Sequence, residues 1–269
     1  MAESRTAPGG GNDPSSAALS SCVSGETTGI DVTSTSEAGL FVDTDGHRYF
    51  ATEISSSHIE PRSADASPSS SEGGQARLVA VPAGKPNRWG FIPAWIIDHT
   101  DPRPRLYQAE QLLTGNALFS PDIAASECAI SLRSAEAVAR RAKSGAWGTA
   151  GGARVFSGAA PASFQGNAGR YVIARGRIVS LGKTRSTRYL NFGRHWKTDL
   201  TVTLKSSDET AFNEGLGANG WQIDDLTGLF VEVRGVLQEK DGPLIALRHP
   251  GQIRVLEGKR AGRGGQNSN

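Results

Sequence analysis

The chain has 269 residues, 37% of them hydrophobic and 21% charged, with 33 glycines and 13 prolines. That is enough apolar material for one medium core or two small ones, with a large share left to loops and tails. No stretch approaches roughly 18 consecutive apolar residues, which excludes a membrane-spanning helix, and a net charge of +2 excludes a histone-like polycation.

That small sum hides a division. Residues 1–169 carry 13 Lys+Arg against 17 Asp+Glu, a balance of −4, and residues 170–269 carry 16 against 10, a balance of +6. A mildly acidic front half joined to a basic back half predicts two domains, with a polyanion expected on the second.

Residues 1–28 read as a disordered leader rich in Ser, Gly and Pro, without the apolar run of a signal peptide. The only two cysteines are Cys22 and Cys128. They are either one disulfide in an oxidising compartment or two buried thiols in the cytosol. Pairing would close a loop of about a hundred residues, on the order of 4–5 kcal/mol in the chain-entropy model. A start codon placed too late would reconcile the polar leader with a periplasmic or secreted protein; a cytoplasmic location is expected otherwise.

From Gly29 to Ile54 the pattern changes to short, partly alternating runs, with Asp45-Gly46 between LFV and RYF as a hairpin signal. Residues 55–74 form a low-complexity loop. ARLVAVPAG and WGFIPAWIID read as two further strands. A helix is predicted over Arg105–Thr114, with Leu106, Ala109, Leu112 and Leu113 on one face and Gly115 as its C-terminal cap. A second is predicted over Ala124–Ser144, with Cys128, Leu132, Ala135, Ala139 and Ala142 at helical spacing, Arg140, Arg141 and Lys143 in the last turn, Gly145 as the stop and Trp147 packed just beyond. Residues 149–168, rich in Gly, Ala and Ser, are the expected linker. Five β-rich segments then fill 169–257 and predict a small closed barrel of the OB type. Residues 258–269 form a basic flexible tail.

The front domain, 29–148, resembles the staphylococcal-nuclease-like (thermonuclease) family. LFVDTDGHRYFATEI is similar to its opening hairpin and NRWGFIPAWI to its D-R-Y-G-R-x-x-A strand. YQAEQLLTGNALFSP and CAISLRSAEAVARRAKSGAW are similar to its two C-terminal helices. The resemblance implies an OB-like five-stranded barrel with helices. It also implies a calcium ion on carboxylates, a glutamate that activates water and two arginines on the phosphate, which together neutralise charge at phosphorus and generate the nucleophile.

None of these groups stands at its expected position. The carboxylate of the D-G-D-T turn falls at Ala38 and the two arginines fall at Phe50 and Phe91. The I-D-x-P-E element reads Ser55-Ser56-Ser57-His58. Arg48 lies two residues from the first arginine position. Realignment would offer Asp43, Asp45 or Glu53 to a metal and Arg88 to a phosphate, without restoring the set. Asp43 and Asp45 otherwise shape the turn, Arg88 shields it beside Trp89, and Glu136 with Arg140 makes a helix-surface pair. His58 and Glu60 are expected to be solvated.

The back domain, 169–257, resembles the C-terminal extension of some bacterial thermonuclease-like proteins and carries the V-R-G-x-L, G-P-x-I and H-P-x-Q-I pattern of OB-type nucleic-acid-binding domains. Lys183, Arg185, Arg188, Tyr189, Phe192, Arg194, Trp196 and Lys197 interleave cations with aromatic rings between the first two barrel strands. Cations tracking phosphates and rings stacking on bases suit single-stranded DNA or RNA. The competing assignment puts Tyr189 and Phe192 in the core and the charges in a solvated loop. Arg234 is expected on the barrel rim and His249 in a turn. No Gly-rich phosphate loop, Cys/His metal spacing or nucleophile elbow occurs in the sequence.

The architecture expected is therefore mainly β with α, two barrels in series, the first carrying C-terminal helices. The function expected is a thermonuclease-like protein that has lost catalysis and binds, most readily nucleic acid, with no cofactor. The first alternative is a calcium-dependent nuclease with a rearranged site. The second is an envelope structural or interaction protein with an unknown protein partner.

Overall fold

The computed structural model describes residues 14–23, 25, 28–56, 77–148, 152–153, 155–195 and 197–257. The polar loop around His58 and Glu60, the basic tail and Trp196 lie outside them. The described chain divides into two compact units, one ending at Ala153 and the other beginning at Arg154.

In the first unit five strands close on themselves. β1 (Ile30–Ser34), β2 (Leu40–Val42) and β3 (Arg48–Ala51) form an antiparallel meander. β5 (Leu78–Pro82) pairs antiparallel with β1 and with β6 (Phe91–Asp98). A parallel pairing of β3 with β6, Arg48 opposite Phe91 and Ala51 opposite Ala94, completes the ring. Two short pieces, β4 (Ile54–Ser55) and β8 (Leu118–Phe119), pair outside it, and β7 (Arg105–Leu106) extends the sheet from β6. Alternation sends Val32, Phe41, Tyr49, Ala80, Ala94 and Ile96 into the barrel.

Helices α1 (Pro14–Cys22), α2 (Tyr107–Thr114) and α3 (Ser126–Ala142) pack as a layer over a second apolar cluster that includes Leu106, Ala109, Leu112, Phe119 and Leu132. Gln108 pins α2 to the barrel. Its amide donates to Ala94 O at 2.8 Å and accepts from Ile96 N at 3.2 Å, which satisfies two strand groups of β6. Gly115 takes the left-handed cap position at φ 75°, and its carbonyl accepts Ala146 N at 2.8 Å. A Cβ on Gly145 would lie 2.5 Å from that carbonyl oxygen, so the ends of α2 and α3 meet backbone to backbone. Lys143, at φ 54°, caps α3 two residues before the glycine expected to stop it.

Three expectations for this unit are corrected. Pro14–Cys22, inside the segment expected to be a disordered leader, is helical; of the two alternatives for the cysteines, the Cys22–Cys128 disulfide is the one present. The first predicted helix begins at Tyr107 rather than Arg105, because Arg105 and Leu106 pair with β6 instead. Glu136, expected on the surface with Arg140, is buried and accepts Phe119 N at 2.8 Å. Arg140 lies over the Trp147 ring, 4.7 Å from its centre.

The second unit is one large sheet around a single core. β10 (Tyr171–Arg177) leads after two residues into β11 (Ser180–Lys183), which pairs with β12 (Thr187–Asn191), and β12 pairs with β13 (Thr201–Lys205). α4 (Glu209–Gly217) follows. β14 (Phe230–Glu239) pairs antiparallel with β10, and β15 (Pro243–Ala246) joins β14 to β13, parallel to the latter. β16 (Ile253–Glu257) pairs with β14.

Part of the expected linker 149–168 belongs to this unit. β9 (Val155–Ser157) pairs parallel with β10, a 3-10 turn follows at Pro161–Phe164, and Phe156 stacks on Phe164 with ring centres 5.0 Å apart inside the core. Arg234 is also corrected: it is fully buried, not on a rim, and donates to Glu232 at 2.8 Å, whose other oxygen takes Arg175 at 2.7 Å. His249 sits in its turn as expected, its Nδ1 accepting Gly251 N at 3.0 Å.

Candidate nucleic-acid interface

The residues predicted to form one basic, aromatic face in the second unit do not share a face. β12 alternates: Arg188 and Leu190 lie on the core side, Thr187, Tyr189 and Asn191 on the outer side. Arg188, 7% exposed, pairs with the Asp224 carboxylate. Phe192, 5% exposed, is a core residue held against Gly158 and Gly176, where an added Cβ would meet the ring at 2.5 and 2.7 Å. Lys183 is exposed, yet its Nζ lies 3.1 Å from Glu209 Oε2. Tyr189 lies half-buried on the outer side between its register partners Gly182 and Thr203. Arg185, Arg194 and Lys197 are exposed in the turns flanking β12, and Trp196 lies outside the described residues. Two of the eight, Arg188 and Phe192, are thus withdrawn into the unit. Outward are one half-covered tyrosine and four cations, of which Lys183 is paired with Glu209 and Lys197 is also engaged.

In the first unit Asp43 and Glu53, two of the carboxylates a rearranged nuclease would use, are committed to structure, whereas Asp45 is exposed. Asp43 Oδ1 accepts Asp45 N and His47 N, both at 2.9 Å. Its Oδ2 accepts the Tyr49 hydroxyl at 2.9 Å and lies 3.0 Å from His47 Nδ1. Desolvation pushes this carboxyl up, but the bonds from His47 and Tyr49 outweigh it and hold its pKa below the ordinary value. Asp43, Asp45 and His47 bring potential ligand atoms within 4.8 Å of one another, as a hairpin turn of this kind does.

Glu53 is 2% exposed and holds left-handed backbone at φ 66°, a conformation a non-glycine residue adopts only under constraint. The constraint is its carboxylate. Oε1 accepts Ile123 N at 2.7 Å and Asp122 N, Ala124 N and the Thr52 hydroxyl at 3.2–3.3 Å, so the side chain ties the end of β3 to the segment entering α3. Burial raises its pKa in spite of those amide bonds. A calcium ion takes about six to eight oxygens from an open cage; here Asp43 is bound within its turn and Glu53 is enclosed by amides.

The positions where the resemblance expects arginines instead build an aromatic rim. Arg48 and Phe91 are register partners at the start of β3 and β6, with the guanidinium 4.3 Å from the ring centre. The loop entering β6 carries Arg88 at 3.9 Å over Trp89, and Trp89 is 60% exposed. Asn87 shapes that loop, its side-chain oxygen accepting Trp89 N at 3.0 Å and Phe91 N at 3.1 Å. Phe50 lies half-buried on β3 between its register partners Leu40 and Pro93. Arg48 and Phe91, singled out separately in the sequence, meet here through register. Trp89 received no role there, and the signal available was its place between a cation and a turn glycine.

No protein-family model and no curated protein matches the chain. Among solved structures it is similar to the OBody AM1L10 bound to hen egg-white lysozyme, at 18% identity and TM-score 0.26, over 36% of this chain and 91% of that one. It is similar to OBody AM3L09 bound to the same lysozyme at 16% and 0.24, over 34% and 84%. It is also similar to a putative aspartyl-tRNA synthetase from Leishmania major Friedlin at 10% and 0.27, over 40% of this chain and 21% of that one. Likenesses this slight say nothing of what the chain does.

Proposed function

We propose that this protein is a non-hydrolytic binder of single-stranded nucleic acid built on two OB-type barrels, the first of the staphylococcal-nuclease-like kind. The closed order β1-β2-β3-β6-β5, with its parallel β3–β6 pair and following helices, supports that kinship. Counting β10 and β11 as one bent strand gives the second unit the same circular order, with β13 and β15 as the parallel pair. The loss of catalysis is supported by the engagement of Asp43 and Glu53 in turn and helix anchoring.

The observation that carries the binding proposal is the rim of the first unit, where an exposed tryptophan and a phenylalanine each have a guanidinium stacked on them. Bases stack on such rings at roughly 1–3 kcal/mol each, and guanidinium groups beside them meet phosphates. Arg185 and Arg194 of the second unit supply further cations for a polyanion.

The test is fluorescence anisotropy of a labelled single-stranded oligonucleotide over a salt series, together with a gel time course in calcium and in EDTA. Binding that weakens with salt, falls at least about fivefold in Trp89→Ala and leaves the strand intact is expected. Calcium-dependent fragments would restore the nuclease alternative, and salt-insensitive or absent binding would end the proposal. The Cys22–Cys128 bond favours a second reading, an interaction module of an oxidising compartment; a protein partner captured without nucleic acid would support it.

A further inference from the structure

We infer that the Cys22–Cys128 disulfide is a redox latch: it holds α1 in an apolar groove of the first unit, and its reduction frees the helix and opens the groove while the barrel stays folded. The inference does not depend on nucleic-acid binding.

α1 is the weakest element of its layer. It has nine residues, PSSAALSSC, fewer than the roughly 12–15 below which an isolated helix is marginal in water. Its serines compete with the helical backbone for hydrogen bonds. Ser15 and Ala18 are its only fully buried residues. Leu19, Cys22 and Val23 are half-buried against the cluster formed by Leu106 of β7, Ala109 and Leu112 of α2, and Ala129 and Leu132 of α3. Ser21 adds one hydroxyl contact, donating to Ser131 Oγ at 2.9 Å.

The floor of the groove is secured without α1. β7 is paired to β6, Gln108 fastens α2 to two backbone groups of β6, and α3 is held by Glu136 on Phe119 N and by the Glu53 carboxylate on the segment that enters it. α1 is held by the packing of Ala18 and Leu19, the Ser21–Ser131 hydroxyl contact and the covalent bond, so loss of that bond weakens α1 before the elements secured by strand pairing and buried carboxylates.

Cys128 is buried and Cys22, the last residue of α1, is half-exposed, so the more exposed of the two cysteines belongs to the part that leaves. A thiolate of a dithiol reductant attacks Cys22 Sγ and the S–S bond breaks. Cys128 departs as a thiolate and takes a proton. The second thiol of the reductant then displaces Cys22, also as a thiolate that is protonated, leaving the reductant as its disulfide; two electrons pass from dithiol to protein.

The test is hydrogen exchange on the full chain, oxidised and then reduced with dithiothreitol, with Cys22→Ser measured without reductant. Amides of α1 are expected to lose protection by about a hundredfold in the reduced protein and in the variant, with β1–β3 and α3 within a few-fold of the oxidised protein. A naphthalenesulfonate dye should brighten in both states without a change in far-ultraviolet dichroism. Unchanged α1 protection would overturn the latch, as would equal loss across α1, α3 and the barrel, since the bond would then support the whole fold. Released amides with no dye response would overturn the open groove.

Discussion

The two units treat the same residue types in opposite ways. In the second unit a run dense in cations and rings is taken apart by strand alternation: Phe192 and Arg188 turn inward, and Lys183 is paired on the surface. In the first unit a sparse set is assembled, Arg48 and Phe91 by strand register and Arg88 and Trp89 by a loop that Asn87 folds. Density along the chain is therefore a poor guide to a surface patch in β structure, where neighbours in sequence face opposite sides and neighbours in space come from other strands.

The contrast breaks most sharply at Phe192. Phe192→Ala is expected to lower the stability of the second unit by about 3–5 kcal/mol, read by denaturant unfolding. A variant of wild-type stability that instead bound the oligonucleotide more weakly would return this ring to the surface. Trp89→Ala should do the reverse, weakening binding by roughly 1–3 kcal/mol in anisotropy with the unfolding midpoint unchanged. If both substitutions affected only stability, neither unit would present a stacking surface.

Glu53 sharpens the contrast between a catalytic and an anchoring carboxylate. Burial raises its pKa above its ordinary value of 4.5. Its contribution to stability is thus fully present below that value and is lost as pH rises through the raised pKa. Glu53→Gln should flatten this part of the stability curve, measured by denaturation at a series of pH values from about 4 upward. Asp43, whose pKa is lowered, has the opposite sign, its contribution fading as acid is added below its ordinary value. A profile unaltered by Glu53→Gln would mean that the carboxylate is not held as described. The smallest effect is expected at Lys183, already paired with Glu209. Lys183→Ala should cost at most about 1 kcal/mol of stability and leave the salt slope of binding where it was. Arg185→Ala or Arg194→Ala should instead reduce that slope by about 0.7 for each phosphate no longer neutralised.

Much of the helical layer was legible in the sequence. The spacing of Ala109, Leu112, Cys128, Leu132, Ala135 and Ala139 selected the buried faces, though Ala142 of the same series is exposed, and Gly115 marked a cap that is indeed left-handed. The hairpin around Asp45-Gly46 was legible for the same local reason, with Gly46 at φ 83°. What the sequence hid depends on partners far along the chain. α1 has no apolar periodicity and exists through packing and a covalent bond. Phe156 and Phe164 stood in small-residue text that reads as linker, yet they fill the second core. The spacing of Glu136 and Arg140 put both on one side of α3 without saying that Glu136 would be enclosed against Phe119. The rim was the least legible of all, because only the parallel β3–β6 register sets Arg48 beside Phe91.

That same register has a consequence for self-association. With β3 joined to β6, each of the five strands in the ring has a neighbour on both flanks over part of its length, so none of the five is an edge strand of the kind on which a passing chain adds a further strand. What the ring adheres to is decided by the chemistry displayed on it, not by its backbone.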